Sequence, residues 1–401
     1  MTSVQQRFAA LGVGSAPGQP GTAPAEDLRV GQDLPGEPVD FSHGDVDAFT
    51  PTPGSFEVFR AGVEEGGAQA YTEYKGRPEL RELVADRLAR FTGAPVEPGS
   101  ELIITPGTQG ALFLAIAALV GTGDQVAVVQ PDYFANRKLV EFFGGQVRPV
   151  RLAYEHDGPA QLDLGRLEEA FRVGARTLII SNPSNPTGAV LTAEQVRAVA
   201  ELADRHGATV IVDQLYSRLL YPGTEYTHLR AAGIDAANCV TIMGPSKTES
   251  LSGYRLGVAF GSAEIIARME QAQAIVSLRA PGYSQAVLRT WFDEPDGWLE
   301  DRIRAHQAIR DDLVRLFEQA DGFRVRPSEA GSYLFPRLPA LSVAPEEFVR
   351  LLRLQAGVVV TPGAEFSPHH ADSVRLNFSQ DRGRAVAAVE RLIELADRYG
   401  R

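Results

Sequence analysis

The sequence holds one cysteine, Cys239, and three lysines, Lys75, Lys138 and Lys247, and no apolar run approaches the roughly 18 residues that a bilayer-spanning helix needs. A lone cysteine excludes an intramolecular disulfide and a cysteine-built metal centre, so no metal site is expected. The missing apolar run argues against any role in a membrane. The opening stretch "MTSVQQRFAALGVGSAPGQPGTAP" lacks a basic region followed by an apolar core, which predicts no secretion signal and a cytoplasmic protein. Positive charge is also scarce: 39 basic against 51 acidic residues leave a net charge of −12, and a nucleic-acid partner needs a basic face. The expected partner is a small molecule. Because nearly all basic residues are arginine, each lysine stands out, and Lys247 sits among small and hydroxyl residues in "TIMGPSKTESLSGYRLG".

A chain of 401 residues exceeds the roughly 250–300 at which a single core stops growing, so two lobes are expected. Residues 12–38, rich in Gly, Pro and Ala, predict an irregular arm that is loose or wraps over a partner. From Glu101 onward strand-like runs ("ELIIT", "QVAVVQ", "QVRPVRL", "ARTLIIS", "ATVIVD", "NCVTIM", "RLGVAFG") alternate with stretches of helical periodicity. That alternation predicts a mainly parallel sheet covered by helices on both faces, with ligands beyond the carboxyl ends of the strands. A helix from about Pro295 to Gln319 leads to a C-terminal α+β segment, whose short strands are "SYLFPRL", "GVVVTPG" and "SVRLNFS".

Four strand ends carry candidate chemistry. After "ELIIT" comes "PGTQGA", where free backbone N–H groups at a helix start suit an anion, although Gly-Thr there is equally an ordinary cap. After "TLIIS" comes "NPSNPTGAV", a tight turn with exposed amides that turn chemistry alone also explains. After "ATVIV" comes Asp213, with Tyr216 three residues on; a carboxylate ending a buried strand needs a cationic or hydrogen-bonding partner. After "CVTIM" comes the Lys247 loop, followed by Arg255.

In their order and spacing these residues, together with Tyr133, Asn185 and Arg375 in "SVRLNFSQ", resemble the aspartate aminotransferase superfamily, the fold-type I enzymes that use pyridoxal 5′-phosphate. The resemblance runs from about Val39 to the C-terminus. It implies an α/β fold-type I architecture: an arm over residues 1–38, a large cofactor-binding domain over 39–290 with a mainly parallel seven-stranded sheet between helices, and a small α+β domain over 291–401 on which the N-terminal segment packs. Lys247 would form the Schiff base with the cofactor aldehyde and carry the α-proton. Asp213 would keep the pyridine nitrogen protonated, and Asn185 and Tyr216 would hydrogen-bond the ring oxygen. Tyr133 would stack on the ring, or is a plain core aromatic. Gly107, Thr108, Gln109 and Arg255 would hold the phosphate. The family's phosphate-binding serine is replaced by Gly244, leaving open whether Ser246 or Thr248 substitutes. Arg375 would fork onto the substrate α-carboxylate, close to Gly44.

The resemblance further implies a homodimer with shared active sites, since Tyr71 matches a tyrosine that reaches the neighbouring subunit's phosphate. Arg279 lies on a loop that crosses the same interface, where it either meets an acidic substrate group or forms an ordinary ion pair. The implied reaction is transamination between an L-amino acid and a 2-oxo acid. A second reading is elimination, replacement, cyclisation or oxidation on an activated amino acid such as S-adenosylmethionine or an arginine derivative, favoured by extra titratable groups at Glu249, His43 and Asp45. The alternative explanation of these groups is that Glu249 pairs with a nearby arginine and His43 only packs. A non-catalytic cofactor-binding regulator is a third reading, and retention of Lys247, Asp213 and Arg375 speaks against it.

Overall fold

The computed structural model describes residues 3–12, 28–44, 48–66, 70–155 and 158–401. A two-residue strand β1 (Val39–Asp40) precedes the main sheet. Its strands are β2 (Leu102–Pro106), β3 (Gln125–Gln130), β4 (Gln146–Ala153), β5 (Gln161–Leu162), β6 (Thr177–Ser181), β7 (Thr209–Asp213), β8 (Cys239–Met243) and β9 (Leu256–Gly261). Their order across the sheet is β2-β9-β8-β7-β6-β3-β4-β5. The seven strands expected from the sequence are present, and the eighth, β5, is a two-residue edge antiparallel to β4.

Strands β4, β3, β6, β7 and β8 run parallel, and β9 runs antiparallel to both its neighbours, β8 and β2. Runs such as "TLIIS" and "CVTIM" are buried at every position because helices cover both faces of the sheet. One face packs on helices Gly107–Leu119 and Ala263–Val276, through Leu112, Ile116, Ile266 and Met269. The other packs on helices Leu164–Arg172 and Ala193–His206, through Leu167, Phe171, Val196 and Val199. Helix Ala193–His206 is delimited locally: Thr192 and Gln195 cap its start reciprocally and Gly207 ends it in the left-handed region.

The C-terminal part carries a three-stranded antiparallel sheet, ordered β10 (Tyr333–Leu334), β13 (Val374–Asn377), β12 (Thr361–Pro362), and β11 (Val358–Val359) pairs in parallel with β1. Helices Trp298–Gln319, Pro345–Ala356 and Arg382–Arg398 cover it. Val39, Phe41 and Phe49 share its core with Leu313, Phe317, Phe348 and Leu392, so the entry segment is built into the C-terminal body.

The N-terminal segment is helical ahead of the Gly-, Pro- and Ala-rich stretch, and the described residues 28–38 carry no α-helix or strand. Ser3–Leu11 forms a helix whose Phe8 meets Phe142 edge-on with ring centroids 6.1 Å apart. Residues 28–38 lie over the last helix, where Arg398 donates to the carbonyl of Gln32 at 2.6 Å and Arg391 to that of Glu37 at 2.7 Å. The remainder of the 12–38 stretch, residues 13–27, lies outside the described residues. Among the described residues no helix is long and apolar enough to cross a membrane.

Candidate active site

The loops after β2, β3, β6, β7 and β8 converge on one edge of the sheet, and there they enclose a cavity of about 340 Å³. Thr108, Gln109, Tyr133, Asn185, Asp213, Tyr216, Ser246, Lys247, Arg255 and Arg375 all line it. An adjoining cavity of about 570 Å³ shares Ser246, Lys247 and Ser252 with the first and reaches Gly44 and His43. Lys247 therefore stands in the wall between the two.

One end of the smaller cavity is an anion cradle. Helix Gly107–Leu119 begins directly after β2, its first N–H groups free and its dipole positive end outward. Gly107 has a φ of 77°, and a Cβ there would lie 2.5 Å from Nη2 of Arg255. A Cβ on Gly257 would lie 2.4 Å from the backbone nitrogen of Thr108. Glycine at both positions lets the Arg255 segment lie flat against the helix start. Gly244 is explained in the same way, since a Cβ would come within 2.9 Å of Cγ2 of Thr108. The threonine methyl occupies the space a serine would need, and it is Ser246, not Thr248, that faces the cavity.

The middle is a slot for a flat ring. Tyr133 donates from its hydroxyl to Oε1 of Gln109 at 3.0 Å, which fixes its ring as one wall. Asp213 ends β7 and accepts from the backbone N–H of Leu215 at 3.0 Å. Burial pushes its carboxyl up to about 6, against the backbone bond and the attraction of Lys247. The turn bearing Asn185 is clamped from behind: Tyr226 donates to the carbonyl of Asn182 at 2.5 Å, and Glu329 and Ala330 donate to that of Gly188 at 2.9 and 3.0 Å.

The far end is cationic. Arg375 is 3% exposed, donates to Oδ1 of Asn185 at 3.0 Å and to the carbonyl of Ser42 at 2.9 Å, and lies over the rings of Tyr333 and Phe366 at 4.5 and 4.8 Å. Its Nε has no hydrogen-bond partner, and among the described residues no carboxylate pairs with it. A buried guanidinium without an anion is costly, so the site is arranged to receive one. An anion cradle, a half-buried carboxylate lining a ring-sized slot, and a lysine in the wall shared with the second cavity fit pyridoxal 5′-phosphate, and Arg375 fits the carboxylate of an amino acid.

Three expected residues lie elsewhere. Glu249 is no extra acid at the entrance: it is 1% exposed, lines neither cavity, and is ion-paired with Arg218, which also grips Glu294 at 2.8 and 2.9 Å. Burial raises its carboxyl to about 7. Tyr71 and Arg279 line neither cavity of their own chain; Tyr71 is 78% exposed, with the Arg279 guanidinium 4.9 Å from its ring centre. His43 is exposed on the rim of the larger cavity, 3.6 Å from Asp40, and Asp45 lies outside the described residues.

Sequence reasoning missed Asp132 and Tyr333. Asp132, after β3, accepts from the N–H groups of Tyr133 at 2.7 Å and Ser181 at 3.0 Å and from Nδ2 of Asn136 at 3.1 Å, tying the ends of β3 and β6 together. The rule that singled out Asp213, a carboxylate ending a buried strand, finds it too. Tyr333 had no local signal, because its partner Tyr216 is 117 residues away.

In the apoprotein burial holds protons on Asp213 and Asp132 up to about 6 and about 7, while the unfolded chain releases them near pH 4. The folded state then binds more protons, so the contribution of these groups to stability is full below about pH 4 and is lost as pH rises through 7. Thermal melts of apoprotein should show a smaller drop in Tm between about pH 5 and about pH 8 for Asp213→Asn than for the wild type. An unchanged drop would mean that Asp213 is already ionised at pH 5.

Residues 38–392 match the family described as "Aminotransferase class I and II". The chain is 30% identical over 377 residues to the aspartate/prephenate aminotransferase of Thermus thermophilus, covering 92% of this chain and 93% of that protein. It is 28% identical over 344 residues to the aspartate aminotransferase of Sulfolobus acidocaldarius, covering 84% and 85%. A solved aspartate aminotransferase from Rhodobacter sphaeroides superposes with a TM-score of 0.96 at 64% identity over 100% of both chains. The chain belongs to the class I and II aminotransferases, fold-type I enzymes that use pyridoxal 5′-phosphate to pass an amino group between an amino acid and a 2-oxo acid.

Proposed function

We propose that this aminotransferase takes an acidic amino acid of the aspartate class as donor, with Lys247 as the residue that binds the cofactor aldehyde and moves the α-proton. The observation that carries the assignment of residues is the pairing of a buried, anion-free Arg375 with Asn185 at one end of a cavity whose wall contains Lys247. The substrate class rests on the relatives, three of which are named for aspartate, including the one 64% identical. A second cation, Arg279, supports it.

Pyridoxal 5′-phosphate, when bound, supplies an aldehyde for amines and a ring that takes up the electron pair left at Cα. Gly107, Thr108, Gln109, Ser246 and Arg255 would hold its phosphate, Tyr133 would cover one ring face, and Asn185 and Tyr216 would hydrogen-bond its ring oxygen. Asp213 would hold a proton on the ring nitrogen, and that second cation, added to Lys247, would favour its ionised form. Arg375 forks onto the substrate carboxylate, which orients the Cα–H bond toward Lys247. Nζ of Lys247 would take the proton from Cα and return it to the cofactor's aldehyde carbon, on the other side of the substrate nitrogen, so a single base would serve both halves of the transfer. With Glu249 held by Arg218, one of the groups that favoured elimination or cyclisation is withdrawn from the entrance, while His43 stays on the rim of the larger cavity.

Tyr71 and Arg279 act, in this proposal, across a homodimer interface: Tyr71 on the partner's phosphate and Arg279 on the distal carboxylate of the partner's substrate. Exposed Tyr74, Ile275, Val276 and Leu278 surround them and would be covered there. The division into lobes 39–290 and 291–401 belongs to the same proposal, with the difference that Val39, Phe41 and Phe49 share the core beneath β10, β13 and β12 and so go with the second lobe. A cytoplasmic location suits the substrate class.

Mixing holoenzyme with single amino acids, without an acceptor, should convert aspartate to one equivalent of its 2-oxo acid per site, with the cofactor ending as the amine. Continued turnover with the cofactor still an aldehyde would overturn the assignment. Borohydride reduction should fix the cofactor irreversibly on the peptide containing Lys247, and Lys247→Ala should abolish that mark; a mark on Lys75 or Lys138 would place the attachment elsewhere. Arg375→Ala should raise KM for the donor on the order of a hundredfold, the loss of a buried charge-assisted pair. An unchanged KM would mean that another group binds the carboxylate.

A further inference from the structure

The hydroxyl of Tyr333 is 2.5 Å from that of Tyr216, with the two rings edge-to-face at 74° and centroids 5.2 Å apart. Both side chains are buried, and both line the smaller cavity. The approach is imposed by the backbone: Gly331 donates to the carbonyl of Leu219 at 2.8 Å, Tyr221 donates to that of Glu329 at 3.0 Å, and Tyr221 donates from its hydroxyl to the carbonyl of Gly331 at 2.6 Å. Gly331, with a φ of 73°, allows the segment to pass the Tyr216 ring, from which a Cβ would be 3.2 Å away. The turn after β7 and the segment leading into β10 are thus laced together so that the phenols meet.

A phenol has one proton. If Tyr216 gave its proton to Tyr333 it would have none to offer the cavity, whereas if Tyr333 donates, the proton of Tyr216 is free. The Arg375 guanidinium lies 4.5 Å from the centre of the Tyr333 ring and draws electron density from it, which makes Tyr333 the better donor of the two. We propose that Tyr333 is a positioning residue that donates its hydroxyl proton to Tyr216, thereby reserving the Tyr216 proton for the cofactor ring oxygen and strengthening that donation. The chain Arg375, Tyr333, Tyr216 then links the carboxylate-binding cation to the hydroxyl that tunes the cofactor. This rests on the assignment of Lys247 and Tyr216 made above.

The sign of the effect follows from charge. A strong donor at the ring oxygen withdraws negative charge that would otherwise hold a proton on the nitrogen joining Lys247 to the cofactor. Without Tyr333's proton, Tyr216 donates less strongly, the oxygen keeps more charge, and the proton is released at higher pH. Visible-absorption pH titrations of fully loaded wild type, Tyr333→Phe, Tyr216→Phe and the double variant test this. The phenyl ring retains the packing under Arg375, so the fold is preserved. Tyr333→Phe should raise the midpoint by about 0.3 to 1 unit, the worth of one neutral hydrogen bond, and should add less than about 0.1 unit in the Tyr216→Phe background. An unmoved midpoint in Tyr333→Phe, or an equal shift in both backgrounds, would overturn the proposal. Persistence of the pH-dependent band in Lys247→Ala would instead remove the assignment on which it rests, and that control tells the two failures apart.

Discussion

The active-site edge depends on one strand running the wrong way. Strand β9 is antiparallel to β8 on one side and β2 on the other, so it begins where they end. Arg255, immediately before β9, is thereby delivered to the same edge as Gly107 after β2 and the Lys247 loop after β8. In an all-parallel sheet the start of that strand would lie at the opposite edge, and its arginine with it. The register then demands close approach: Gly257 pairs with Thr105, and only a residue without a side chain leaves the first N–H groups of the helix at Gly107 unobstructed. Anion cradle and arginine are therefore consequences of strand direction and of three glycines, 107, 244 and 257.

Around that edge the charges are distributed so that each lacks what cofactor and substrate bring. Asp213, half-buried at the cavity wall, has its carboxyl pushed up despite the attraction of Lys247, and Arg375 is buried with no carboxylate partner among the described residues. Both conditions cost folding free energy in the apoprotein. Cofactor and substrate would relieve both, so the same groups would give affinity for them. Where no ligand is meant to enter, the chain satisfies its buried charges internally, as Arg218 does for Glu249 and Glu294 and as Lys138 does for Glu365 at 2.7 Å.

Much of this was legible in the residue order. Strand and helix alternation predicts the sheet because buried strands read as unbroken apolar runs, and the strand ends mark the site because open α/β sheets bind there. Lys247, Asp213, Asn185 and Arg375 stood out through type and position. Glu249 was misleading for a physical reason: proximity to Lys247 in sequence says nothing about which way a side chain faces, and in the fold it turns away to Arg218. Tyr333 was invisible for the converse reason, since its meaning arises only where β10 and the segment after β7 come together.

The sequence by itself determined the elements, the parallel core of the sheet and the inventory of chemical groups, because apolar periodicity, caps and turn residues act over short stretches of chain. Tertiary structure alone decided the arrangement in which those groups have chemical consequences. The antiparallel β9, the inclusion of Val39, Phe41 and Phe49 in the C-terminal core, the methyl of Thr108 in place of a serine at 244, and the contact of Tyr333 with Tyr216 all depend on pairings between residues far apart in the chain. Such pairings are fixed by packing and strand register across the whole fold, and no local stretch encodes them.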